Sequence, residues 1–307
     1  MSTSSVATRS KPAGMIAYLN GDKIPAVEAQ VSVADLGLQG LGVTEMLRTF
    51  RGKPFLIEPH LQRLRSGLSY MGIEIPETDH QLVGAIQQLA EHNYQAGESQ
   101  ELGVVVFVTP GLNPTYLGTP SERATVCIHS FPLPMDRWKS AFQEGVKLTI
   151  SQRPQVALES FSPSVKIRSR ALWHVADREA DQQRPGSRAL MCMAEGTITE
   201  TSTSNFFLVQ GEELWTAPKQ YVLPGISRGW VLKIASALGI VVKEREFSEA
   251  DLENAQGAFL TSTPYCMMPV QSVNERRFDC ERSLEIFHHL ATRWETEVDC
   301  QWRKQLQ

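Results

Sequence analysis

Apolar residues recur along the chain with two different periods. Leu61, Leu64 and Leu68 follow one another at three- and four-residue spacing, which is typical of the buried face of an amphipathic helix. Pro59 suits the first turn of that helix, because its missing N–H would have no partner there. Residues 102–108 instead form a continuous apolar run bounded by Gly and Pro, which predicts a central strand.

The same two patterns predict elements over the rest of the chain. Asn20-Gly21 is a turn signal between two short extended runs, so residues 15–25 are expected to form a hairpin. The last predicted helix carries Leu284, Phe287 and Trp294 on one face. The first predicted helix begins at residue 59, and the others span 78–92, 169–181, 227–238 and 281–302. Besides 102–108, the predicted strands span 43–50, 54–57, 124–130, 146–151, 189–194, 205–209 and 258–263.

Hairpins and helices alternate without an internal repeat, so the pattern indicates an α+β protein rather than a βαβ array. Two prolines interrupt both strand and helix patterns near residue 132. They predict an N-terminal α+β domain at 15–131, a linker at 132–136 and a C-terminal domain at 137–307. Residues 1–14 lack the apolar core of a secretory signal and are expected to be a disordered lead-in.

Composition excludes several classes of protein. The formal net charge of the 307 residues is −4, which argues against a nucleic-acid binder. No apolar run approaches the ~20 residues that span a bilayer, so no membrane contact is expected. The five cysteines are scattered, and no Cys/His cluster has the spacing of metal ligands. Free thiols in a reducing cytoplasm, and no bound metal, are the expectation.

A hairpin at 195–207 brings chemical groups together. Thr197, Ile198 and Thr199 favour an extended backbone, Glu200 follows them, and a run of hydroxyl residues leads to Asn205. A carboxylate between small hydroxyls has the composition of a polar ligand site held on a sheet. A Thr-rich surface hairpin would have the same composition, and this stretch alone leaves both interpretations open.

Other candidates lie apart along the sequence, and no Gly-rich dinucleotide or Walker-type loop is present. Gly225-Ile226-Ser227 opens a predicted helix, where free N–H groups favour an anion, although a plain Ser N-cap explains it equally. Ser262 and Thr263 end an apolar strand. Together these candidates supply the groups that are needed to hold pyridoxal phosphate: a lysine, a carboxylate, two anion sites made of hydroxyl or N–H groups, and an arginine. These are, in the same order, Lys166, Glu200, Gly225-Ile226-Ser227 with Ser262-Thr263, and Arg63.

The order of these elements resembles the class IV (fold type IV) pyridoxal-phosphate aminotransferases, the group that includes branched-chain and D-amino-acid aminotransferases and aminodeoxychorismate lyase. The resemblance runs over residues 16–275. It implies a homodimer of two-domain α+β subunits, with a smaller N-terminal domain and a larger C-terminal pseudo-barrel domain. Its motifs, in chain order, are Asp35-x-Gly37, Gly42-Val-Thr-Glu45, His60-x-x-Arg63-Leu64, Lys166, Glu200 with Asn205-Phe206, Leu223-Pro-Gly225-Ile-Ser227-Arg228, and Ser262-Thr263 before Pro269-Val270.

The resemblance also implies a role for each matching residue. Lys166 would bind the cofactor covalently and move a proton between substrate Cα and cofactor C4′, and Glu200 would pair with the pyridine nitrogen. Thr201, Ser202 and the residues up to Ser204 would line the cofactor's edge. The phosphate would be held by Arg63, Gly225, the Ile226 and Ser227 N–H groups, Ser262 and Thr263.

The substrate is less well defined, because the chain departs from the family pattern. Thr44 replaces an aromatic residue that is usual in the transaminases and resembles the lyase branch. Neither of the residue sets with which the family binds the substrate carboxylate is present. Our hypothesis is that Arg168 or Arg170 supplies this contact. The alternative is that both arginines face solvent or a dimer partner. We expect ping-pong amino transfer from a branched-chain or similar apolar amino acid, or an amine, to a 2-oxo acid. The alternatives are an aminodeoxychorismate-type lyase, a D-amino-acid aminotransferase and a non-enzymatic relative.

Overall fold

A computed structural model describes residues 14–119, 123–278 and 281–307, with the backbone alone at 281–283. The predicted lead-in, apart from Gly14, lies outside the described residues. The chain divides into two compact units. The first comprises the described residues up to Gln62 together with Met71–Leu133, and the second comprises Arg63–Tyr70 and Pro134–Gln307.

The first unit is built on an antiparallel six-stranded sheet in the order β2-β1-β6-β5-β3-β4. The predicted hairpin is confirmed, with Asn20 and Gly21 both at positive φ in its turn. The strands of the six-stranded sheet are β1 Ile16–Leu19, β2 Asp22–Pro25, β3 Val43–Phe50, β4 Lys53–Pro54, β5 Leu102–Thr109 and β6 Thr125–Pro132.

The α-helices that begin in the described part of the first unit are α1 Ile57–Met71, α2 Asp79–Ala96 and α3 Pro114–Leu117. Thr78 and Gln81 form a reciprocal capping box at the start of α2, which satisfies N–H groups that have no partner within the helix. On the same helix, the amide of Asn93 bonds the Ile16 backbone and Ser130 Oγ. The helix is therefore tied to β1 and β6 by a buried polar side chain as well as by its apolar face.

The second unit is built on a nine-stranded sheet, and six of its strands form a closed ring in the order β10-β13-β14-β7-β8-β9. The pairing of β9 with β10 closes this ring, while β11 and β12 extend from β10. The strands are β7 Val146–Ile150, β8 Ser187–Cys192, β9 Ile198–Thr201, β10 Asn205–Gln210, β11 Glu213–Thr216, β12 Val241–Glu244, β13 Gly257–Ser262, β14 Cys266–Val273 and β15 Arg276–Arg277.

The α-helices that accompany these strands are α4 Lys139–Glu144, α5 Ala171–Gln183, α6 Ile226–Ala237, α7 Glu249–Leu252 and α8 Glu281–Glu297. Aromatic rings fill the core between the strands and α8. Phe207 and Phe259 stack with their centroids 5.0 Å apart, and Phe287 packs edge-on against Phe259 at 5.9 Å. Within the described ranges, no helix is both long and apolar enough to cross a membrane.

Three sequence predictions need correction. The last helix ends at Glu297 instead of 302, because Asp299 takes a positive φ of 47° and turns the chain. Leu284, predicted on its buried face, is 46% exposed. The predicted strand at 54–57 is reduced to β4, since Leu56 has a positive φ of 54° and α1 already begins at Ile57.

Candidate active site

The site is centred on Glu200, at the point where β9 meets β10. Three residues with β-branched side chains, Thr197 to Thr199, favour the extended backbone that leads to it. Thr201 N then donates to Ser204 O at 2.9 Å and closes a tight turn. This turn places Glu200 directly opposite Asn205 in the register of the two strands. Side chains of directly opposite residues share one face of a sheet.

Glu200 is 6% exposed, and both of its carboxyl oxygens accept hydrogen bonds. Leu223 N donates to Oε1 at 3.0 Å, and Asn205 Nδ2 donates to Oε2 at 2.9 Å. Burial raises the pKa of Glu200 to about 8, while the Leu223 N–H and, more weakly, the charges of Lys166, Arg170 and Arg63 oppose that rise. The carboxyl therefore keeps its proton near neutral pH until a further cation lies beside it.

Asn205 joins Glu200 to the segment that precedes α6. Its Nδ2 also donates to Leu223 O at 2.9 Å. A Cβ at Gly225 would overlap Asn205 Oδ1, so a side chain at this position would displace the amide. Gly225 has an ordinary φ of −59°. The glycine is thus required by close approach to Asn205 rather than by backbone conformation.

The N-terminus of α6 lies in the same segment, and Gly225 is its N-cap. The alternative of a plain Ser227 N-cap is therefore wrong: Ser227 is inside the first turn. The N–H groups of Ile226 and Ser227 have no partner within the helix by geometry, and the helix dipole adds partial positive charge. Arg63 Nη1 donates to Pro224 O at 2.8 Å. Two cationic features thus meet at residues 224–227, as an anion site requires.

Lys166 lies in irregular chain between β7 and α5. The preceding turn is held by a hydrogen bond between Ser162 Oγ and Ser164 Oγ at 2.7 Å. Tyr70 packs edge-on against Phe161 with centroids 5.3 Å apart. Lys166 is half-buried, and its charge acts on Glu200. The structure therefore brings the predicted lysine and carboxylate into one electrostatic environment.

Hydroxyl groups line the turns beside Glu200. Ser262 Oγ donates to Thr203 O at 2.7 Å, and Ser204 Oγ bonds the hydroxyl of Tyr265. Burial raises the pKa of Tyr265. Thr261 is 1% exposed, and its hydroxyl has no hydrogen-bond partner among the residues that the structure describes. Of the remaining predicted residues here, Thr201, Ser202 and Ser262 are buried and Thr263 is half-buried.

The residues proposed to contact substrate differ in position. Arg168 and Arg170 are both exposed overall, but Arg170 Nη2 turns inward and donates to the carbonyl of Ser202. Desolvation lowers the pKa of Arg170, opposed by the charges of Asp177 and Glu200. Thr44 belongs to the other unit, where its hydroxyl donates to Val106 O at 3.0 Å.

Two contributors to the site escaped the sequence analysis. Tyr265 follows a strand end without any local signal of a role, and Gln155 bonds Thr199 and Tyr221 O from a loop that showed no pattern. Asn205, by contrast, had a visible signal, since an Asn opens the strand that follows the carboxylate. Its hydrogen bonds, unlike its place in the motif, depend on the register of β9 and β10.

The ring of strands presents the buried Glu200, and Lys166 and the N-terminus of α6 lie in the same unit. This arrangement can hold an anionic cofactor. The family model described as "Amino-transferase class IV" matches residues 42–273, most of the chain. The chain therefore belongs to the class IV aminotransferases, whose members are pyridoxal-phosphate enzymes, and it is a transaminase.

Relatives and solved structures agree with this family. A Methanocaldococcus jannaschii protein carrying the name of a branched-chain-amino-acid aminotransferase is 28% identical over 292 residues, covering 92% of this chain and 98% of its own. A D-alanine aminotransferase of Listeria monocytogenes is 29% identical over 272 residues, covering 85% of this chain and 88% of its own.

Among solved structures, the branched-chain aminotransferase of Thermoproteus uzoniensis with norvaline has a TM-score of 0.81 at 25% identity, covering 95% of this chain and 97% of that one. The branched-chain amino acid aminotransferase of Escherichia coli has a TM-score of 0.80 at 22% identity, covering 90% of this chain and 93% of that one. The predicted α+β, fold type IV class is confirmed.

Proposed function

We propose that this protein uses pyridoxal 5′-phosphate to transfer an amino group from a branched-chain or similar apolar amino acid to a 2-oxo acid, in two half-reactions. The observation that carries the proposal is the buried Glu200, bonded on one oxygen by Leu223 N and on the other by Asn205 Nδ2. A carboxyl held in this way, with a pKa raised to about 8, is suited to share a proton with a basic ring nitrogen.

The residues present fit this cofactor. Ile226 and Ser227 offer N–H groups at a helix N-terminus, and Arg63 reaches the carbonyl of the adjacent Pro224. A phosphate prefers such a combination of N–H donors and a guanidinium. The buried hydroxyl of Thr261 has no partner within the described parts of the chain. It stands directly opposite Asn205 in the register of β10 and β13, so it offers a further polar contact on the face that carries the Asn205 side chain.

When bound, the cofactor supplies an electron sink for the electron pair left at the substrate Cα. Glu200 holds the proton at the ring nitrogen, because a neighbouring cation offsets the burial that disfavours its ionised form. Lys166 would provide the amine that binds the cofactor and, once the substrate amine has displaced it, would move the proton between the substrate Cα and the cofactor C4′. Asn205 and Leu223 N keep the Glu200 carboxyl in one orientation through the bonds described above.

Relatives named for branched-chain amino acids and relatives named for D-alanine both resemble this chain. The substrate class therefore needs a direct experimental test. The protein is loaded with pyridoxal phosphate and mixed with a single donor, in turn L-leucine, L-valine, D-alanine, a β-amino acid and a primary amine. We expect stoichiometric loss of the cofactor's absorption band with the branched-chain donors and its recovery on adding 2-oxoglutarate. No pyridoxal phosphate binding, or no bleaching with any donor, would overturn the proposal.

A lyase of the aminodeoxychorismate type is the second candidate, and the observation that favours it is Thr44 in place of an aromatic residue. Incubation with aminodeoxychorismate separates the two, since a lyase releases pyruvate and an aromatic amine over many turnovers. A transaminase does not. We expect no pyruvate release under conditions in which the branched-chain donors bleach the cofactor.

We also propose a homodimer. The first unit exposes apolar side chains close together in sequence, among them Val27 at 73%, Val33 at 87% and Leu38 at 70% exposure. Apolar residues clustered at this level on one segment are typical of a surface that another chain covers. Light scattering of the purified protein should give the mass of two chains, and Val33→Asp should shift the equilibrium toward one chain.

A further inference from the structure

Gln155 joins three segments of the second unit from a position just after β7. Its side chain is buried, at 8% exposure for the residue, and both ends of the amide are used. Thr199 Oγ1 donates to Oε1 at 2.6 Å, and Nε2 donates to Tyr221 O at 3.0 Å. Its backbone N donates to Cys192 O at 2.8 Å. One residue therefore connects the end of β8, the middle of β9 and the chain before α6.

Both side-chain contacts lead to Glu200 by short paths. Thr199 immediately precedes Glu200 in β9. Tyr221 ends a 3-10 helix, Lys219–Tyr221, so its carbonyl has no partner further along that helix. Val222 is extended and buried, with φ −135° and ψ 162°. Leu223 N then reaches Glu200 Oε1. The extended residue Val222 thus links the position of Tyr221 O to the Leu223 N–H on Glu200.

We propose that Gln155 is a positioning residue: by fixing residues 221–223 against β9 it holds the Leu223 N–H on the Glu200 carboxyl. Successive side chains of a strand point to opposite faces, so Thr199, which Gln155 contacts, faces away from Glu200. Gln155 therefore acts on the carboxyl through the backbone of residues 221–223. The consequence for catalysis rests on the function proposed above, whereas the consequence for the Leu223 hydrogen bond does not.

The two arms of the Gln155 amide are not equivalent. Met191 O lies 3.1 Å from Thr199 Oγ1 and can accept the same hydroxyl proton, so the hydroxyl keeps a partner when Gln155 is removed. Removing Gln155 takes from Tyr221 O the side-chain donor that fixes it, and a carbonyl shielded from water without a donor is costly. We therefore expect the segment to move toward another donor. The hydrogen bond from Leu223 N to Glu200 Oε1 then weakens. This disfavours the ionised form of Glu200, because a hydrogen bond to a carboxylate stabilises its charge.

Hydrogen exchange of the Leu223 amide, followed by NMR in the cofactor-free protein, tests the geometric part. Gln155→Met removes both arms at similar side-chain length, and Thr199→Val removes only the Thr199 arm. Thr149→Val is the matched control, because it breaks a buried hydroxyl pair with Ser187 at 2.8 Å in the same unit. We expect Leu223 to exchange at least about tenfold faster in Gln155→Met and within about twofold of wild type in the other two, after correction for global stability. Equal protection of Leu223 in Gln155→Met would overturn the proposal.

The protein loaded with pyridoxal phosphate tests the catalytic part. In Gln155→Met, we expect kcat to fall about tenfold, with KM for the acceptor little changed, because the effect is on the reacting ring rather than on substrate contacts. The ascending limb of the pH profile should move to higher pH, since Glu200 then loses its proton less readily. An unmoved limb together with fast Leu223 exchange would overturn the catalytic part. A wild-type protein that binds no pyridoxal phosphate would overturn the proposed function and leave the exchange result intact.

Discussion

Asn205 Nδ2 donates to Glu200 Oε2 at 2.9 Å, and the two residues stand directly opposite each other where β9 pairs with β10. The same pairing closes the ring of strands in the second unit. The contact between the two side chains is therefore part of the junction that holds the ring together. A change at either residue affects both the local geometry of the carboxyl and the closure of the sheet.

The raised pKa of Glu200 predicts a pH dependence of stability in the cofactor-free protein. The native pKa is about 8 against an ordinary 4.5, so the native state keeps a proton that the unfolded chain loses as the pH rises between these values. Stability therefore falls with rising pH in that window, by at most about 1.4 kcal/mol per pH unit for one proton. Glu200→Gln lacks this titration. The difference in unfolding free energy between wild type and Glu200→Gln, measured in urea, should decline with pH, and a constant difference would contradict the assignment.

Replacing Lys166 should abolish the chemistry. Lys166→Ala removes the amine that is proposed to bind the cofactor and move the proton, and we expect at least a ~10³-fold loss of kcat. Borohydride should trap no cofactor on this variant. Lys147→Ala is the control, because Lys147 is an exposed lysine on β7 of the same unit. Full activity in Lys166→Ala would remove the lysine from the site.

Two glycines in adjacent turns of α6 should behave in opposite ways. Gly225→Ala places a Cβ against Asn205 Oδ1, whereas a Cβ at Gly229 meets nothing within 4 Å. We expect Gly225→Ala to lose about 1–3 kcal/mol of stability through overpacking and to bind pyridoxal phosphate more weakly. Gly229→Ala should be neutral or stabilising by up to about 1 kcal/mol, since Ala is the better helix former. Thermal unfolding and cofactor titration of both variants decide this, and equal behaviour would refute the close-approach argument.

Arg63 should contribute to cofactor affinity through charge and geometry together. Arg63→Gln removes the guanidinium that bonds Pro224 O, and we expect pyridoxal phosphate to bind about 10–100-fold more weakly, as for the loss of a charge-assisted contact. Arg65→Gln is the control on the same helix, because residues two apart point to different sides. Fluorescence titration gives both dissociation constants. Similar losses in the two variants would indicate a general charge effect in place of a phosphate contact.

Arg170 is the better candidate of the two arginines for the substrate carboxylate. Its guanidinium contacts Ser202 O and its charge acts on Glu200, while Arg168 lies two residues earlier in the same exposed segment. We expect Arg170→Ala to raise KM for the amino donor about tenfold or more, with a smaller change in kcat, and Arg168→Ala to leave KM unchanged. Donors without a carboxylate should lose this sensitivity. An unchanged KM in Arg170→Ala would discard the hypothesis.

Local patterns predicted much of the fold, because the first unit is built largely from elements that local sequence specifies. The hairpin at Asn20-Gly21 and the strand Val43–Phe50 are as the sequence indicated, and the helix predicted at 78–92 runs from Asp79 to Ala96 with Thr78 as its cap. Each depends on turn chemistry, alternation or capping within a few residues. In such segments local preference and tertiary structure agree.

The site was only partly predictable, because its geometry depends on contacts between distant residues. Val165 and Ile167 favour a strand, yet tertiary context leaves Lys166 in irregular chain. Ser227 has the composition of an N-cap, but Gly225 takes that position where it approaches Asn205, 20 residues earlier in the chain. No rule based on neighbouring residues detects an approach of that kind.

The closed ring also has a consequence for how the active protein is assembled. Its parallel pairing of β7 with β14 joins Val146 to Val270, so the ring cannot close until these two distant segments have met. Pairings between such distant segments are slow to form, because the long intervening loop must first be ordered. The Glu200–Asn205 pair lies in a local hairpin, whereas the ring that contains it is expected to close late in folding. We therefore expect the protein to retain the cofactor only after this ring has closed.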